Sequence, residues 1–208
     1  MKAYEGIDLS RHNRVDSWQL VKSSGVDFVI LRAGGHDKNS FYKDSKFEAY
    51  YNACKMYDIP VGAYFDCGKR FYTAEFGREC AQHFETLLSG KQFEMPVYMD
   101  IEVTPRAYKA LITEAAIAFC KEMEEAEYYV GIYASDISGF KELLDVSRIQ
   151  NFDKWVARYG AKPSYVKSYG IWQYTSGGHI DGIFGNVDRD ITTKDYPYII
   201  KRGHFNGY

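Results

Sequence analysis

Pro96-Val97-Tyr98-Met99-Asp100-Ile101-Glu102, followed after Val103-Thr104-Pro105 by the stretch Arg106–Ala126, reads as one strand–helix unit. The first part is a nearly continuous apolar run that ends in two acids, which suits a strand buried on both faces of a parallel sheet. The stretch behind it brings Ala107, Leu111, Ala115, Ala118 and Met123 broadly onto one face at the helical period. Thr104 before Pro105 predicts the helix start, with proline at the first helical position.

The same alternation runs along most of the chain. Short strands rich in Val, Ile, Tyr or Phe are predicted at Tyr4–Leu9, Phe28–Ala33, Val61–Asp66, Pro96–Glu102 and Tyr129–Ala134. Three more follow at Lys154–Arg158, Gly170–Tyr174 and Asn186–Arg189. Helices are predicted behind the first five strands: Ser17–Ser24, Lys43–Tyr57, Thr73–Leu88, Arg106–Ala126 and Ile137–Leu144. Gly25, Gly90 and Gly131 are read as helix-to-strand joints. Beyond about residue 150 the strands are joined by loops containing Gly and Pro. The fold class is therefore α/β, and the reading adopted is a (β/α) barrel that has lost its last helices. Pattern alone leaves a doubly wound sheet open. In a barrel, chemistry belongs at the C-terminal ends of the strands.

The chain's 208 residues suit one substantial domain. A formal net charge of −2 gives no reason to expect binding to nucleic acid or an anionic membrane. Aromatic residues make up 17%, with 19 Tyr; either a Tyr-rich core or a groove that stacks on sugar rings explains this. No apolar run approaches the roughly 20 residues a membrane helix needs, and the first residues lack the apolar stretch of a signal peptide. Cys54, Cys67, Cys80 and Cys120 have neither CxxC nor Cys/His ligand spacing, so buried free thiols and synthesis in a reducing cytosol are expected.

Chemistry concentrates in Met99-Asp100-Ile101-Glu102. Period-two alternation puts both carboxylates on one face, with Cα atoms roughly 6.6–6.8 Å apart. Mutual repulsion and partial desolvation should keep one of them protonated near neutral pH. Glycoside hydrolysis needs such a pair, one proton donor and one charged partner. A solvated strand-end pair or a metal site would give the same letters. Asp8 ends the first strand and Asp188 the last, and in a closed barrel those strands are neighbours. Asp8, Asp100, Glu102 and Asp188 are thus expected to converge at one mouth.

These residues belong to a longer series. It comprises Gly6-Ile7-Asp8-Leu9-Ser10, Gly25-Val26-Asp27-Phe28-Val29-Ile30-Leu31-Arg32-Ala33, Val61-Gly62-Ala63-Tyr64 and Met99-Asp100-Ile101-Glu102. Trp155-Val156-Ala157-Arg158-Tyr159, Trp172-Gln173-Tyr174-Thr175-Ser176 and Gly185-Asn186-Val187-Asp188 complete it. In this order and spacing the series resembles the glycoside hydrolase family 25 lysozymes, the Chalaropsis-type muramidases of phage endolysins and bacterial autolysins. The resemblance implies a flattened, modified TIM-like barrel of eight strands and about five helices, with residues 1–208 forming a single catalytic domain. It implies an enzyme that cleaves the β-1,4 bond between N-acetylmuramic acid and N-acetylglucosamine in peptidoglycan glycan strands; carboxylate spacing does not decide the stereochemistry, and because the substrate's acetamido oxygen can attack the anomeric carbon, substrate-assisted cleavage with retained configuration is expected. Glu102 matches the general acid/base, and Asp100 the carboxylate that orients the substrate's acetamido group. Asp8 and Asp188 match the remaining acids. Tyr64, Trp155, Trp172 and Gln173 match groove positions, although both tryptophans would equally serve as barrel plugs. Arg32 and Asp66 are added as candidate substrate-binding residues.

The chain departs from the family in places. Asp188-Arg189-Asp190 stands where Asp-Leu-Asn is frequent, which brings Asp190 into question. Arg11-His12-Asn13-Arg14 lacks the frequent Gln-Gly, and Phe65-Asp66-Cys67 follows Tyr64 where a His is common. No metal or organic cofactor is expected, since the acid and its electrostatic partner suffice, and a monomer acting on the bacterial cell wall is expected. It would be made in the cytoplasm and reach the wall by phage-type release or another export route. The competing readings are an inactive carbohydrate-binding barrel and a chitinase-type barrel. The latter is disfavoured by Tyr98, where a further Asp would stand.

Overall fold

The computed structural model describes residues 2–102 and 106–208. The expected Thr104–Pro105 helix start lies outside the described residues. Along the chain run β1 (Tyr4–Leu9), β2 (Arg14–Val15), α1 (Trp18–Ser23), β3 (Phe28–Asp37), β4 (Ser40–Lys43) and α2 (Phe47–Met56). Then come β5 (Val61–Asp66), α3 (Ala74–Leu88), β6 (Val97–Asp100), α4 (Lys109–Glu125), β7 (Val130–Ser135) and β8 (Asp153–Ala157). The chain ends with β9 (Ile171–Gly178), β10 (Ile183–Phe184), β11 (Val187–Thr192) and α5 (Tyr196–Gly203).

The main sheet has the order β1-β11-β9-β8-β7-β6-β5-β3-β4, and an additional β1–β3 pairing closes it into a barrel. β4 is a hairpin flap on the long β3, while β2 and β10 form a separate two-stranded ribbon. The barrel pairs from β1 through β3, β5, β6, β7, β8 to β9 are parallel. β11 runs antiparallel to both β9 and β1. A parallel return needs a crossover of about a dozen residues or more. Only residues 179–186 separate β9 from β11, so the chain folds straight back. This corrects the expectation that Asp188 closes the last strand. Asp188 lies near the start of β11, and the reversed direction is what brings it to the mouth where the other strands end.

Other boundaries shift for local reasons. Lys43 belongs to the β4 hairpin, which turns through Lys38 (φ 47°) and Asn39 (φ 74°), and α2 starts only at Phe47. The helix expected at 137–144 is one π-helical segment, Asp136–Lys141. Gly131 lies inside β7, where a Cβ would come within 2.5 Å of the Tyr98 ring. Helix α4 buries Ile112, Ala115, Ala116, Phe119, Cys120 and Met123, whereas Leu111 is 48% exposed. The expected apolar stripe was rotated, because it counted Ala107 and Leu111 and missed the i, i+3, i+4 series from Ile112.

Two cores result. One lies between the barrel wall and the helices, with Phe65, Phe84 and Phe119 in mutual contact. The other fills the barrel: Trp155 packs against Tyr133, Tyr98 and Tyr64, with ring centroids 4.4, 5.4 and 5.9 Å away. Tyr196 and Ile200 of α5 join this inner core from below. All four cysteines are free and buried. Among the described residues no helix is long and apolar enough to cross a membrane.

Candidate active site

Each acid reaches the mouth through the alternation of its strand. On β1 and β11 the register pairs Asp8 with Asp188 and Gly6 with Asp190. Asp66 on β5 stands beside Asp100 on β6, which stands beside Tyr133 on β7. Gln173 on β9 pairs with Asp190 on one side and Ala157 on the other. Glu102 follows the end of β6 at the open rim. Asp8, Asp100, Glu102 and Asp188 thus converge, together with Asp66 and Asp190.

Gln173 holds the centre of the cluster and is 2% exposed. Its Nε2 donates to Asp8 Oδ2 at 2.7 Å. Its Oε1 accepts from the hydroxyls of Tyr133 at 2.9 Å and Tyr159 at 3.1 Å. The Tyr133 oxygen also lies 3.4 Å from Glu102 Oε1. Trp155, 1% exposed, donates its indole N–H to Asp190 Oδ1 at 2.7 Å. Asp100 is buried, and its Oδ1 has no hydrogen-bond partner among the described residues.

Crowding of buried acids sets the electrostatics. Burial, then the negative charge of Glu102 and Asp66, pushes Asp100 well above the usual carboxylate range, against the pull of Arg32. Burial and the nearby Asp66 raise Glu102, opposed by the Tyr133 hydroxyl. Its side chain is open to solvent at the rim, so its rise is smaller than those of the fully buried acids. Asp8 is pushed well up by burial and by Asp190 and Asp188, and Asp188 is raised by burial. Tyr159 is pushed up to about 12 by burial and the acids around it, so it remains a neutral donor. Raised together by burial and mutual repulsion, these acids hold their protons to higher pH than free carboxyls do, which favours a carboxylic acid beside a carboxylate, the requirement for acid-catalysed cleavage of a glycosidic bond.

The other candidates divide. Tyr64 is half-buried over the cluster, edge-on to Trp155. Asp66 accepts from the Tyr42 hydroxyl at 3.3 Å and from Gly68 N at 3.0 Å. Trp155 is a barrel plug that also fixes Asp190, rather than an open sugar platform. Arg32 donates Nε to Asp44 Oδ2 at 2.8 Å, and Asp44 also accepts from the backbone of Arg11 and Lys46. Arg32 therefore braces the loops at the rim. Trp172 does not join the site. One residue away from Gln173, it faces outward, donates to the Arg158 carbonyl at 2.8 Å and meets Tyr174 edge-on. Among the described residues no group of three or more His, Cys, Asp or Glu side chains is arranged to hold a metal ion.

Tyr133 and Tyr159 are the members the sequence reading did not single out. Tyr133 sits at the end of an anticipated strand and Tyr159 inside the Trp155–Tyr159 motif, so strand-end position was the available signal.

The family described as glycosyl hydrolases family 25 matches residues 7–183. The autolytic lysozyme of Clostridium acetobutylicum is 27% identical over 187 residues, covering 89% of this chain and 55% of that protein. The chain spans between about half and two thirds of the length of the curated relatives it matches. Among solved structures, the CTP1L endolysin superposes with a TM-score of 0.81 at 25% identity, covering 96% of this chain and 70% of that one. The lysozyme of Streptomyces coelicolor shares the fold, with a TM-score of 0.73 at 24% identity and coverage of 93% and 94%. The closed barrel, the acids at its mouth and these likenesses agree, and the chain belongs to glycosyl hydrolases family 25.

Proposed function

We propose that residues 1–208 act as one catalytic domain, a peptidoglycan hydrolase that cleaves the β-1,4 bond between N-acetylmuramic acid and N-acetylglucosamine with retained configuration. The observation that carries this reading is Asp100 beside Glu102: at the end of β6, a buried acceptor oxygen without a partner among the described residues, two positions from a carboxyl that is itself raised. Glu102 protonates the oxygen of the leaving sugar. Asp100 accepts the N–H of the 2-acetamido group, so that the acetamide oxygen is turned onto the anomeric carbon and attacks it as the glycosidic bond breaks. The positive charge that develops on the amide is stabilised by the Asp100 carboxylate. Asp188 assists from the far side, and Glu102, now a carboxylate, takes a proton from the water that opens the cyclic intermediate. Burial and mutual repulsion raise both carboxyls, Asp100 the more, so this division of labour requires the bound acetamido N–H, donated to Asp100, to favour the Asp100 carboxylate and leave the proton on Glu102.

Names of relatives support the substrate: one is an autolytic lysozyme and another an endolysin. The test is borohydride reduction of purified peptidoglycan after digestion. New muramitol ends are expected. New glucosaminitol ends would overturn the bond assignment, and no new ends would point to a wall-binding barrel without turnover. The configuration is read separately by proton NMR of the first product, where the β-anomer is expected and the α-anomer would overturn retention.

A further inference from the structure

Trp172 faces away from the mouth, yet the place it occupies is a formed cleft. Among the described residues no helix stands between β8 and β9 or between β9 and β11, so the outer wall of the barrel is bare there. Because β8 and β9 are parallel, the connection at 158–170 must return along that wall from the end of one strand to the start of the other. The Asp136 carboxylate pins this loop, accepting from the backbone N–H groups of Ser164 at 2.7 Å, Tyr165 at 3.1 Å and Val166 at 2.9 Å. The Trp172 indole N–H, bonded to the Arg158 carbonyl, ties its ring to the start of the same loop. A cleft of about 410 Å³ lies here, lined by Lys162, Lys167, Ser168, Tyr169, Trp172 and Thr193, and by no Asp or Glu. It sits toward the end of the barrel where Thr192 pairs with Ile171, about 13 Å of strand away from Asp188 at the mouth.

The lining has a definite chemistry. Tyr169 and Trp172 bring amphipathic rings of the kind that pack on the apolar faces of pyranose rings. Ser168 and Thr193 bring hydroxyls that both donate and accept, as sugar hydroxyls require. Both lysines are exposed, and neither forms an ion pair among the described residues. Two ammonium groups therefore border the cleft with no carboxylate in its lining to neutralise them. A neutral glycan would leave the lysines idle, and a polyol phosphate would leave the rings idle; a glycan that bears carboxylates uses both. We propose that this cleft is a second glycan-binding site, which anchors an acidic strand of peptidoglycan on the outer wall of the barrel while the mouth cuts elsewhere.

The identity of the polymer rests on the muramidase reading, whereas the binding does not, so binding is measured without turnover. Glu102→Gln protein is bound to insoluble peptidoglycan freed of teichoic acid. Adding Lys162→Gln and Lys167→Gln should raise its Kd about fivefold, since exposed ion pairs are individually weak, and should flatten the dependence of binding on salt. Thr193→Glu, which puts a carboxylate into the cleft from another exposed position, should weaken binding likewise. With Glu102 intact, the same changes should leave kcat and KM unaltered on a soluble fragment of two disaccharide units, too short to span both sites. Wall binding unchanged in both variants overturns the proposal. So does an equal loss on the soluble fragment, which would put the lysines in the groove of the mouth itself. Lysine-dependent binding to polyglycerol phosphate with none to peptidoglycan overturns it as well. Lysine-dependent binding to peptidoglycan by a protein that cuts no wall would support the cleft and defeat the muramidase reading alone.

Discussion

Replacing Glu102 by Gln preserves side-chain volume and removes the donatable proton. General acid catalysis contributes roughly 10²–10⁴-fold, and a sugar alkoxide is a poor leaving group, so turnover should fall toward the upper end of that range. Binding of glycan fragments to Glu102→Gln, measured by calorimetry, should match wild type; a parallel loss of binding would indicate misfolding instead. Asp100→Asn should lose rate far more than affinity, because the amide still fills the space beside the acetamido group but cannot balance charge on it. Wall stripped of its muramic acetyl groups should then resist wild-type enzyme; cleavage as fast as that of native wall would sink the assisted mechanism. Asp8, Asp100 and Glu102 were legible because strand ends and a two-residue spacing need only the sequence, whereas Asp188 reached the expected mouth through a strand that runs the other way. Tyr133 and Tyr159 were not, since a hydroxyl's partner depends on the register of neighbouring strands. Trp172 was placed in the groove by resemblance, although alternation with Gln173 already assigned it to the outer face.

At the scale of elements, strands were easier to read than helix faces. β1 and β5 match their expected bounds, because a strand buried on both faces is a compact apolar run. Helix α4 was found but rotated, since its small and apolar residues surround much of the cylinder and only its neighbour selects the buried stripe. That neighbour is α3, and their contact runs through Gly77. A Cβ there would stand 2.3 Å from the Ala115 carbonyl oxygen and 3.1 Å from its Cα. Gly77→Ala gains up to about 1 kcal/mol of helix propensity. Overpacking against a rigid neighbour costs about 1–3 kcal/mol. Overpacking should win, because the obstacle is helix backbone rather than a side chain that can turn aside. A lower urea midpoint with kcat unchanged is expected, since this interface lies outside the barrel; a raised midpoint would show that the helices separate cheaply. The reversal of β11 was not legible, because nothing in Asn186–Arg189 states strand direction, and only the short β9–β11 connection does.

Across the whole molecule, the crowded mouth sets how stability depends on pH. Asp8, Asp100 and Asp190 are all raised well above the usual carboxylate range, chiefly by burial. A raised group binds its proton more tightly in the folded chain than in the unfolded one. Its favourable contribution is complete below the unfolded carboxylate pKa and disappears as pH rises through the folded value. Glu48, paired with Lys43 and Lys91, and Glu94, held by Lys55 and Tyr208, are shifted the other way despite partial burial. Asp136 is likewise lowered, through backbone donors at Ser164, Tyr165 and Val166 and the Arg158 guanidinium, against some burial. These three contribute above the unfolded carboxylate pKa and lose that contribution as pH falls. The two sets oppose each other, so maximal stability should fall at mildly acidic pH and decline toward alkaline pH. The decline should steepen by about 1.4 kcal/mol per pH unit for each proton the folded state holds in excess. Asp100→Asn tests the assignment of that slope to the mouth. At acid pH the raised Asp100 is neutral, and Asn replaces like with like, so the melting temperature should be unchanged. Near pH 8 the wild type bears the cost of ionising a buried acid and the variant does not, so the variant should melt higher while being the poorer catalyst. An equal shift at both pH values, or a lower melting temperature near pH 8, would place the source of the alkaline instability elsewhere in the molecule.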